Sequence, residues 1–367
     1  MKFILISPKN RTVYNFRGDL VQRIIEKGYE VIVTGPDRTD VDRIEALGAR
    51  FYEIPMNKTG TSVKADLQYC KRLTDFLKRE RPDVTLGYTV KPVVYGAIAA
   101  KRAKVKNVNS LVTGGGYTFT ATSLKARTLG VIVRMLYRIG LGKADHVIFQ
   151  NPDDLKEFIR KGLADRKKCC YVHGSGVNLQ HFHMEALPEK TAFFMLSRLL
   201  KSKGVREYLE AARIVKEKYP DVKFFLLGNY EDSMQDAVDK EYVEKFIGNG
   251  VIERFEETAD VRPYYAMSSV YVLPSYREGT PRTVLEAMAM GRPIITTDTQ
   301  GCRETVIEGK NGFLVPVKNE DAVAAKMIWF IEHPEKIAEM GSESRRLAQR
   351  KFDVNKVNAD MLRIMNI

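Results

Sequence analysis

The segment Ser269-Val-Tyr-Val-Leu-Pro-Ser-Tyr-Arg-Glu278-Gly-Thr-Pro-Arg-Thr-Val-Leu-Glu286-Ala-Met-Ala-Met-Gly291-Arg-Pro-Ile-Ile-Thr-Thr297 contains an apolar strand, a loop, a helix and a second strand. Pro281 suits a first helical turn, and Gly291 ends the helix before the next apolar run. Two carboxylates stand at the ends of the loop-helix segment, Glu278 in the loop and Glu286 in the helix. The pattern predicts a unit of a parallel sheet with an acidic residue on each side of a helix start.

This arrangement has a specific chemical use. The two carboxylates can accept hydrogen bonds from hydroxyl groups, and the N–H groups at the helix N-terminus favour a phosphate between them. A sugar nucleotide presents its groups in that order: sugar hydroxyls, diphosphate and ribose diol. A pair of glutamates by itself is more often solvated, so the functional interpretation depends on the rest of the chain.

The strand and helix alternation continues over the whole sequence and predicts an α/β fold with two doubly wound, Rossmann-like domains. The predicted strands are 3–6, 30–33, 51–54, 84–88, 108–112, 146–150 and 170–173, followed by 192–196, 223–227, 251–255, 270–273, 294–297 and 313–317. A break at 185–190 divides a domain of residues 1–185 from one of residues 186–351. A last helix, from about 352 to 367, is expected to pack back on the first domain. Ligands are expected at the carboxyl ends of the strands, in a central cleft that the two domains face.

Composition is that of a water-soluble protein. The chain has 367 residues, 44% of them apolar and 29% charged, enough for two domains that each bury a core. The four cysteines, Cys70, Cys169, Cys170 and Cys302, have spacings that suit neither a zinc site nor a disulfide framework, which favours a reducing cytoplasm. No apolar run of about 18 residues is present, so we expect a soluble or peripheral protein.

The net charge of +13 is unevenly distributed. Residues 1–185 contain 32 Lys and Arg against 18 Asp and Glu, a net charge of +14, whereas the remainder contains 27 against 28, a net charge of −1. Residues 101–150 hold nine basic residues and one acid, Asp145. The partners that such a field favours are nucleic acid, an anionic membrane surface or a phosphorylated substrate.

A second candidate site follows the first strand of the second domain. There Arg198 and Lys203 lie on a loop at the strand end, and Gly204 precedes an amphipathic helix. A basic pair in this position can hold a diphosphate, the arginine through its planar fork and the lysine as a point charge. Such a loop alone is more often solvated, but it is expected on the same sheet edge as the Glu278 loop, so both loops would face one ligand.

These motifs, Ser-Arg198…Lys203-Gly and Pro-Ser-Tyr-Arg-Glu278-Gly-Thr-Pro-x4-Glu286-Ala-x-Ala-x-Gly-Arg-Pro, resemble those of the glycogen-synthase-like retaining glycosyltransferases, glycosyltransferase family 4, which have the GT-B fold. The resemblance extends to Gly174-Ser-Gly-Val-Asn-Leu-Gln-His-Phe182 and to Asn311-Gly-Phe-Leu-Val315, and so covers nearly the whole chain.

The resemblance implies roles for the second-domain residues. Arg198 and Lys203 would hold the donor diphosphate and, with Glu278 at the transferred sugar, form the catalytic group; Glu286 would bind the ribose hydroxyls. Backbone amides around Gly279, Thr280, Arg282 and Thr283 would add phosphate contacts. The implied reaction is glycosyl transfer with retention, in which the leaving diphosphate helps to take the acceptor proton. The sequence offers no credible Asp-x-Asp motif or His cluster, so we expect metal independence, with no metal ligand and no cofactor other than the nucleotide-sugar substrate.

Within the first domain, Tyr14-Asn-Phe-Arg17 and Leu111-Val-Thr-Gly-Gly-Gly-Tyr117 resemble the subgroup that extends polyprenyl-diphosphate-linked sugars in bacterial surface glycan and glycoprotein pathways. The acceptor residues so implied are Asn15, Phe16, Arg17, Thr113, Gly114, Gly115 and Gly116. Thr113 stands where many members have a histidine, so the first-domain catalytic contact is left open. The glycines either let backbone approach a ligand closely or form a simple turn, and Arg17 either meets an acceptor phosphate or pairs with an acid.

Residues 119–143 are predicted to form a helix with apolar residues around more than half of its circumference and basic residues between them. One interpretation is a core helix with a solvated basic edge. The other, which the charge of the first half favours, is a membrane-facing helix whose basic residues lie on anionic headgroups.

The function predicted from the sequence is transfer of a hexose or N-acetylhexosamine from a UDP-sugar to a polyprenyl-diphosphate-linked sugar. The enzyme would be peripheral on the inner face of the cytoplasmic membrane, attached through its basic N-terminal domain. The alternatives are a glycosyltransferase with a soluble acceptor, a sugar-nucleotide epimerase, or a non-enzymatic protein that binds anionic polymers. Nucleic acid is disfavoured as a partner, because the basic segment has few aromatic residues for stacking.

Overall fold

The computed structural model describes residues 1–57, 62–114, 124–231, 234 and 236–367, with the side chains of all of these except 124–129. The strands are β1 Lys2–Ile6, β2 Glu30–Gly35, β3 Arg50–Glu53, β4 Val84–Tyr88, β5 Asn107–Val112, β6 His146–Phe149, β7 Cys169–Tyr171, β8 Ala192–Leu196, β9 Lys223–Leu227, β10 Glu253–Phe255, β11 Val270–Leu273, β12 Ile294–Thr297 and β13 Gly312–Val315. Every strand predicted from the sequence is present, with ends that differ by at most two residues.

The α-helices are α1 Asn10–Glu26, α2 Val41–Glu45, α3 Val63–Glu80, α4 Ala97–Arg102, α5 Leu124–Lys143, α6 Pro152–Arg160, α7 Val205–Lys218, α8 Lys240–Gly248, α9 Arg262–Ala266, α10 Arg282–Ala289, α11 Glu320–Glu332, α12 Pro334–Leu347 and α13 Val354–Ile364. Within the described residues, no helix combines the length and the apolar character needed to cross a bilayer.

The chain divides into two compact units. The first comprises Met1–Ser175 and Val354–Ile367, and the second comprises Gly176–Asp353. The division therefore falls earlier than the boundary at 185 expected from the sequence. The reason is that Val177 is buried in the core of the second unit and forms a β-bridge with Asp353.

The first unit contains a seven-stranded parallel sheet in the order β3-β2-β1-β4-β5-β6-β7. Alternate residues of β1 enter different cores because successive side chains of a strand point to opposite faces. Phe3 and Leu5 pack in the cluster that includes residues of α1 and α13, whereas Ile4 and Ile6 pack in the cluster that includes α3. Helix α13 is thus part of the first unit.

The second unit contains a six-stranded parallel sheet in the order β10-β9-β8-β11-β12-β13, around a single large core cluster. The predicted α/β class with two doubly wound, Rossmann-like domains is confirmed. In both sheets the strand order reverses direction between two central strands, β1 and β4 in the first and β8 and β11 in the second. Ligands of open α/β sheets bind beyond the carboxyl ends of the strands at such switch points.

Arg292, between the end of α10 and the start of β12, joins several segments of the second unit at the edge of the sheet where the strands begin. Its side chain is fully buried, and burial lowers the pKa of the guanidinium to about 10. It donates hydrogen bonds to the backbone carbonyls of Glu185, Ala186, Tyr265, Ala266 and Met290. One side chain therefore joins the segment before β8 to α9 and to the end of α10.

We expect Arg292→Met to lower the free energy of unfolding of the second unit by about 3 kcal/mol or more, because buried carbonyls lose their donor at a cost of ~1–3 kcal/mol each. The control is Arg346→Met, whose side chain is 70% exposed and whose loss should change stability by no more than ~0.5 kcal/mol. Thermal and urea unfolding curves would measure both; equal midpoints for the two variants would contradict the assigned role of Arg292.

Candidate active site

Two loops of the second unit approach each other at the switch point between β8 and β11. The first contains the 3-10 turn Lys201–Lys203 and ends at Gly204, whose φ of +73° is left-handed. A Cβ atom at Gly204 would lie 2.1 Å from the carbonyl oxygen of Pro274, at the start of the second loop. Only glycine satisfies both conditions, so the close approach of the loops depends on this residue.

Hydrogen bonds fix the position of the second loop on the first. The Tyr276 N–H donates to the carbonyl of Ser202 at 2.8 Å, and the Ser275 hydroxyl oxygen lies 3.1 Å from the same carbonyl oxygen. The Tyr276 hydroxyl donates to Glu207 Oε1 at 2.6 Å, and Glu207 is buried in the first turn of α7. Burial and this carboxylate raise the pKa of Tyr276, so its hydroxyl remains a donor.

Lys203 of the first loop and Glu278 of the second loop form an ion pair. Lys203 Nζ lies 2.5 Å from Glu278 Oε1, and the two side chains are 23% and 13% exposed. The Ser275 hydroxyl donates to the same carboxylate oxygen at 2.8 Å. On the other side, the Glu278 N–H donates to the carbonyl of Gln300, 3.1 Å away. The structure therefore brings together the two residues that the sequence assigned to one ligand.

Arg198 lies in the same connection as Lys203, two residues after β8, and its side chain is exposed. Among the described residues, no hydrogen bond or ion pair holds the Arg198 guanidinium. Arg198 is thus an exposed cation in the connection that also carries Lys203.

Glu286 is buried on α10, where only 8% of the residue is exposed. Its carboxylate accepts hydrogen bonds from the Tyr265 hydroxyl at 3.1 Å and from Arg282 Nε at 3.2 Å. Burial raises the pKa of Glu286, and both partners oppose that shift because they stabilise the charged form. A further hydrogen-bond donor, such as a ligand hydroxyl, would therefore stabilise the charged form of this carboxylate.

The remaining predicted donor residues surround the start of α10. Pro281 is the N-cap, one residue before the helical turn predicted for it, and Arg282 and Thr283 begin the helix. Gly279 is buried, and the Thr280 hydroxyl donates to its carbonyl at 2.8 Å. The first-turn N–H groups of a helix point out of its N-terminus, so the backbone dipole of α10 is directed toward the Glu278 loop.

In the first unit the predicted acceptor residues occupy different environments. Asn15 and Phe16 are exposed on α1, whereas Arg17 is buried with its guanidinium 5.5 Å from the ring centroid of Tyr88. Tyr88 ends β4, so Arg17 lies near the switch point between β1 and β4.

The second predicted acceptor segment directly follows β5. Thr113 and Gly114 are partly exposed there, and Gly114 has a φ of +120°. Gly115 and Gly116 lie outside the described residues.

The sequence did not single out Thr89, which follows β4 at the first switch point. Its φ of +66° is left-handed, a costly conformation for a β-branched residue and one that clusters at ligand sites. Ser202, Tyr276 and Glu207 were missed as well. Only the acidic residue in the first turn of α7 gives any sequence signal for that network.

Metal ligation and disulfide formation have no candidates in the described part of the chain. No group of three or more His, Cys, Asp or Glu side chains there is arranged to hold a metal ion. All four cysteines are free.

Two family models match the chain in tandem. The glycosyl transferase 4-like domain matches residues 15–174, and the glycosyl transferases group 1 domain matches residues 179–347. The two matches follow the division of the chain into structural units.

Known proteins of similar sequence and structure agree with these matches. A Campylobacter jejuni protein named N,N'-diacetylbacillosaminyl-diphospho-undecaprenol alpha-1,3-N-acetylgalactosaminyltransferase is 25% identical over 346 residues, which cover 90% of each chain. The structure of Anabaena Alr3699/HepE in complex with UDP and glucose has a TM-score of 0.80 at 17% identity and covers 100% of this chain and 99% of that one. Sucrose-phosphate synthase from Thermosynechococcus elongatus has a TM-score of 0.81 at 18% identity, covering 100% and 98%.

The fold of the solved structures, the two domain models and the loop pair at the β8 and β11 switch point agree. The chain therefore belongs to the family 4 type of glycosyltransferases and is an enzyme that combines a glycosyl transferase 4-like domain with a glycosyl transferases group 1 domain in the GT-B fold.

Proposed function

We propose that this enzyme transfers a hexose or N-acetylhexosamine from a UDP-sugar to a polyprenyl-diphosphate-linked sugar, with retention of configuration. The observation that carries the proposal is the ion pair of Lys203 and Glu278 at the β8 and β11 switch point, with the buried carboxylate of Glu286 on the helix that follows. A cation paired with one carboxylate, followed by a second carboxylate on the next helix, matches a donor whose diphosphate lies between two groups of hydroxyls.

Lys203 and Arg198 are proposed to bind the donor diphosphate. Charge that develops on a departing phosphate is stabilised by fixed cations and by a helix N-terminus, which here are these two side chains and the first turn of α10. Backbone amides around Gly279, Thr280, Arg282 and Thr283 belong to that turn and its approach. This set provides the positive charge that a metal would otherwise supply, so the proposed reaction is metal-independent.

Glu278 is proposed to hold a hydroxyl of the transferred sugar. Its Oε1 already accepts hydrogen bonds from Lys203 and Ser275, so its position is fixed before a ligand arrives. A donor diphosphate would share Lys203 with Glu278 and release part of the carboxylate for a sugar hydroxyl. The leaving diphosphate then takes the acceptor proton on the face from which it departs, which gives retention without a carboxylate nucleophile.

The acceptor is proposed to bind through the first unit. A relative that covers 90% of this chain is named for a diphospho-undecaprenol acceptor, and residues 1–185 carry the positive charge that an acceptor diphosphate and an anionic membrane surface require. Arg17, near the β1 and β4 switch point, is the proposed phosphate contact. Asn15, Phe16, Thr113 and Gly114 complete the described acceptor set, and the enzyme is peripheral on the inner face of the cytoplasmic membrane.

The test is nucleotide release from a panel of UDP-sugars, with GDP- and ADP-sugars as controls, with and without a polyprenyl-diphosphate-sugar and without added metal. We expect release with one UDP-sugar that requires the lipid-linked acceptor and persists in EDTA. Turnover with a soluble sugar alone would show that the proposed lipid-linked acceptor is wrong. Interconversion of sugar nucleotides would indicate an epimerase. Failure to bind any nucleotide would refute the proposed donor site.

The chain provides a matched pair for the role of Lys203. Lys203→Ala should lower kcat/KM by about 100-fold or more, the typical effect of removing one preorganised donor to developing charge. Lys201→Ala, two residues away in the same 3-10 turn and exposed, should leave kcat/KM within about twofold, because an exposed cation is screened by solvent. Steady-state kinetics with unchanged circular dichroism would measure both. A similar loss of kcat/KM in both variants would show that Lys203 acts only through the positive charge of the loop, and would contradict a direct contact with the diphosphate.

Glu286 gives the site a pH dependence. Its pKa is raised in the folded protein, and the protonated carboxyl loses acceptor capacity for a ribose diol. UDP affinity should therefore fall as pH decreases, starting above the ordinary glutamate pKa of about 4.3. Glu286→Gln should weaken UDP binding by about 10-fold or more and leave only the pH dependence of the UDP terminal phosphate, whose second pKa is about 6, whereas Glu217→Gln, with a 65% exposed side chain, should preserve the wild-type affinity and profile. Calorimetric titrations from pH 5 to 8 would measure this, and an unchanged pH profile in Glu286→Gln would refute the ribose contact.

A further inference from the structure

Helix α5 presents an apolar face to solvent. Val131, Ile132, Met135 and Ile139 are 58%, 52%, 66% and 44% exposed. Their spacing places them on one side of the helix, since residues three and four positions apart are neighbours on its surface. We call these four side chains the outer face of α5.

The helix cannot turn this face inward, because its opposite side is committed to the core of the first unit. Tyr137 is 1% exposed and packs edge-on against Phe158, with ring centroids 5.1 Å apart. A Cβ atom at Gly140 would lie 2.6 Å from the Cα atom of Val94. The backbone of α5 is therefore in contact there with the π-helical turn Pro92–Gly96. The outer face is therefore a fixed property of the folded unit.

Cations border the outer face. Arg138 is exposed on one edge and Lys143 on the other, and the partly exposed Arg134 lies one turn before Arg138. None of these three makes a hydrogen bond or ion pair with a described residue. The sequence of α5 contains no acid at all.

The nearby acid is already neutralised. Asp145, the single acidic residue between 101 and 150, pairs with Lys101 at 2.7 Å and accepts a hydrogen bond from the Val108 N–H at 2.8 Å. Lys168 donates to the carbonyls of Gly142 and Ala144 at the end of α5. Lys168 belongs to the 3-10 turn Arg166–Lys168, which is also basic. The residue before this turn is an acid, Asp165, whose side chain caps the turn by accepting a hydrogen bond from the Lys167 N–H.

We propose that the outer face of α5 docks on an anionic lipid bilayer, with its apolar side chains in the interface and Arg134, Arg138 and Lys143 on the headgroups. An apolar stripe edged by cations, on a helix without acids, is the pattern that lies in the plane of a membrane surface. Charge complementarity selects the occupant, because the cations around the stripe make no ion pair with a described residue and phospholipid headgroups offer them a continuous anionic surface.

The position of α5 connects this surface to the site chemistry. The helix is the next one after β5 in the chain, and helices that follow parallel strands start at the sheet edge at which ligands of such sheets bind. Docking along α5 would hold that edge near the headgroups, where the diphosphate of a lipid-linked sugar lies. The inference that docking brings the enzyme to its acceptor rests on the proposed function, whereas the inference that α5 docks on a bilayer does not.

The experiment is co-sedimentation of the full-length protein with vesicles of phosphatidylcholine alone and of phosphatidylcholine with 30–40% phosphatidylglycerol, a composition chosen for the assay, at two salt concentrations. We expect binding to the anionic vesicles that weakens with salt. The double variant Ile132→Ser/Met135→Ser and the charge reversal Arg138→Glu should each reduce partitioning by roughly 10-fold.

Helix α3 of the same unit supplies matched controls. Val63 and Leu67 form an exposed apolar pair, 71% and 59% exposed, and Arg72 is an exposed arginine. Val63→Ser/Leu67→Ser and Arg72→Glu should bind vesicles like the wild type. Equal losses in the α3 and α5 variants would overturn the proposal, as would strong binding to both kinds of vesicle that no α5 variant affects.

A tryptophan reporter tests insertion directly. The chain has one tryptophan, Trp329, which lies in the second unit. In Met135→Trp, fluorescence should shift to the blue on anionic vesicles and be quenched by brominated lipid, whereas Leu67→Trp and the wild type should show neither change. A wild-type dimer that Met135→Ser converts to a monomer, without vesicle binding, would assign the face to a second copy of the chain and overturn the proposal.

Turnover separates this inference from the proposed function. If α5 variants lose vesicle binding and turnover on bilayer-embedded acceptor but retain turnover on a short-chain, water-soluble polyprenyl-diphosphate-sugar, both proposals are supported. If vesicle binding follows the α5 variants but no polyprenyl-linked acceptor is used, the docking surface stands and the proposed acceptor fails. If turnover on both acceptors is unaffected in variants that still bind vesicles, the docking surface fails and the proposed function stands.

Discussion

The active-site region of the second unit depends on one close approach, that of the loops after β8 and β11. Parallel pairing of these strands, with Phe193 opposite Val270, brings their carboxyl ends side by side, and the left-handed Gly204 allows the loops to touch. The Lys203 and Glu278 pair is a consequence of this approach. Without the approach, each charged side chain would be a solvated residue on its own loop, and an exposed pair of that kind contributes little.

The same approach explains why the site is rigid before any ligand binds. The second loop is attached to the first through the Ser202 carbonyl and to α7 through Tyr276 and Glu207. Glu278 is held from three sides, by Lys203, Ser275 and the Gln300 carbonyl. A site whose groups are already oriented loses little reorganisation energy when charge develops on a bound diphosphate. In the proposed donor site, the hydrogen bonds between the loops would thus aid catalysis although none of them involves substrate.

The sequence predicted the strands, the two sheets and the charged residues of the second-unit site, because period-2 apolar runs and helix start signals are local features. It did not predict the Tyr276 and Glu207 contact, since a hydrogen bond between side chains 69 positions apart leaves no local pattern. Thr89 was missed for a related reason: its left-handed backbone is imposed by the surrounding fold against the preference of a β-branched residue. The domain division was displaced because the packing of Val177 against the second core, rather than the composition of 185–190, determines it.

Charge is used differently in the two halves of the chain. Residues 186–367 carry 27 basic against 28 acidic residues, and their key cation, Lys203, is already paired with a carboxylate. A paired charge has a field that falls off quickly, so that site recognises only a ligand in direct contact. Residues 1–185 carry an excess of +14, and Arg134, Arg138 and Lys143 of α5 make no ion pair within the described part of the chain. At about 0.1 M ionic strength such a field extends for roughly 10 Å, far enough to orient the protein on an anionic surface before contact. In the proposed function, long-range attraction by the first half would therefore act before contact recognition by the second: the first would select the surface on which the enzyme works, and the second the ligand that it binds there.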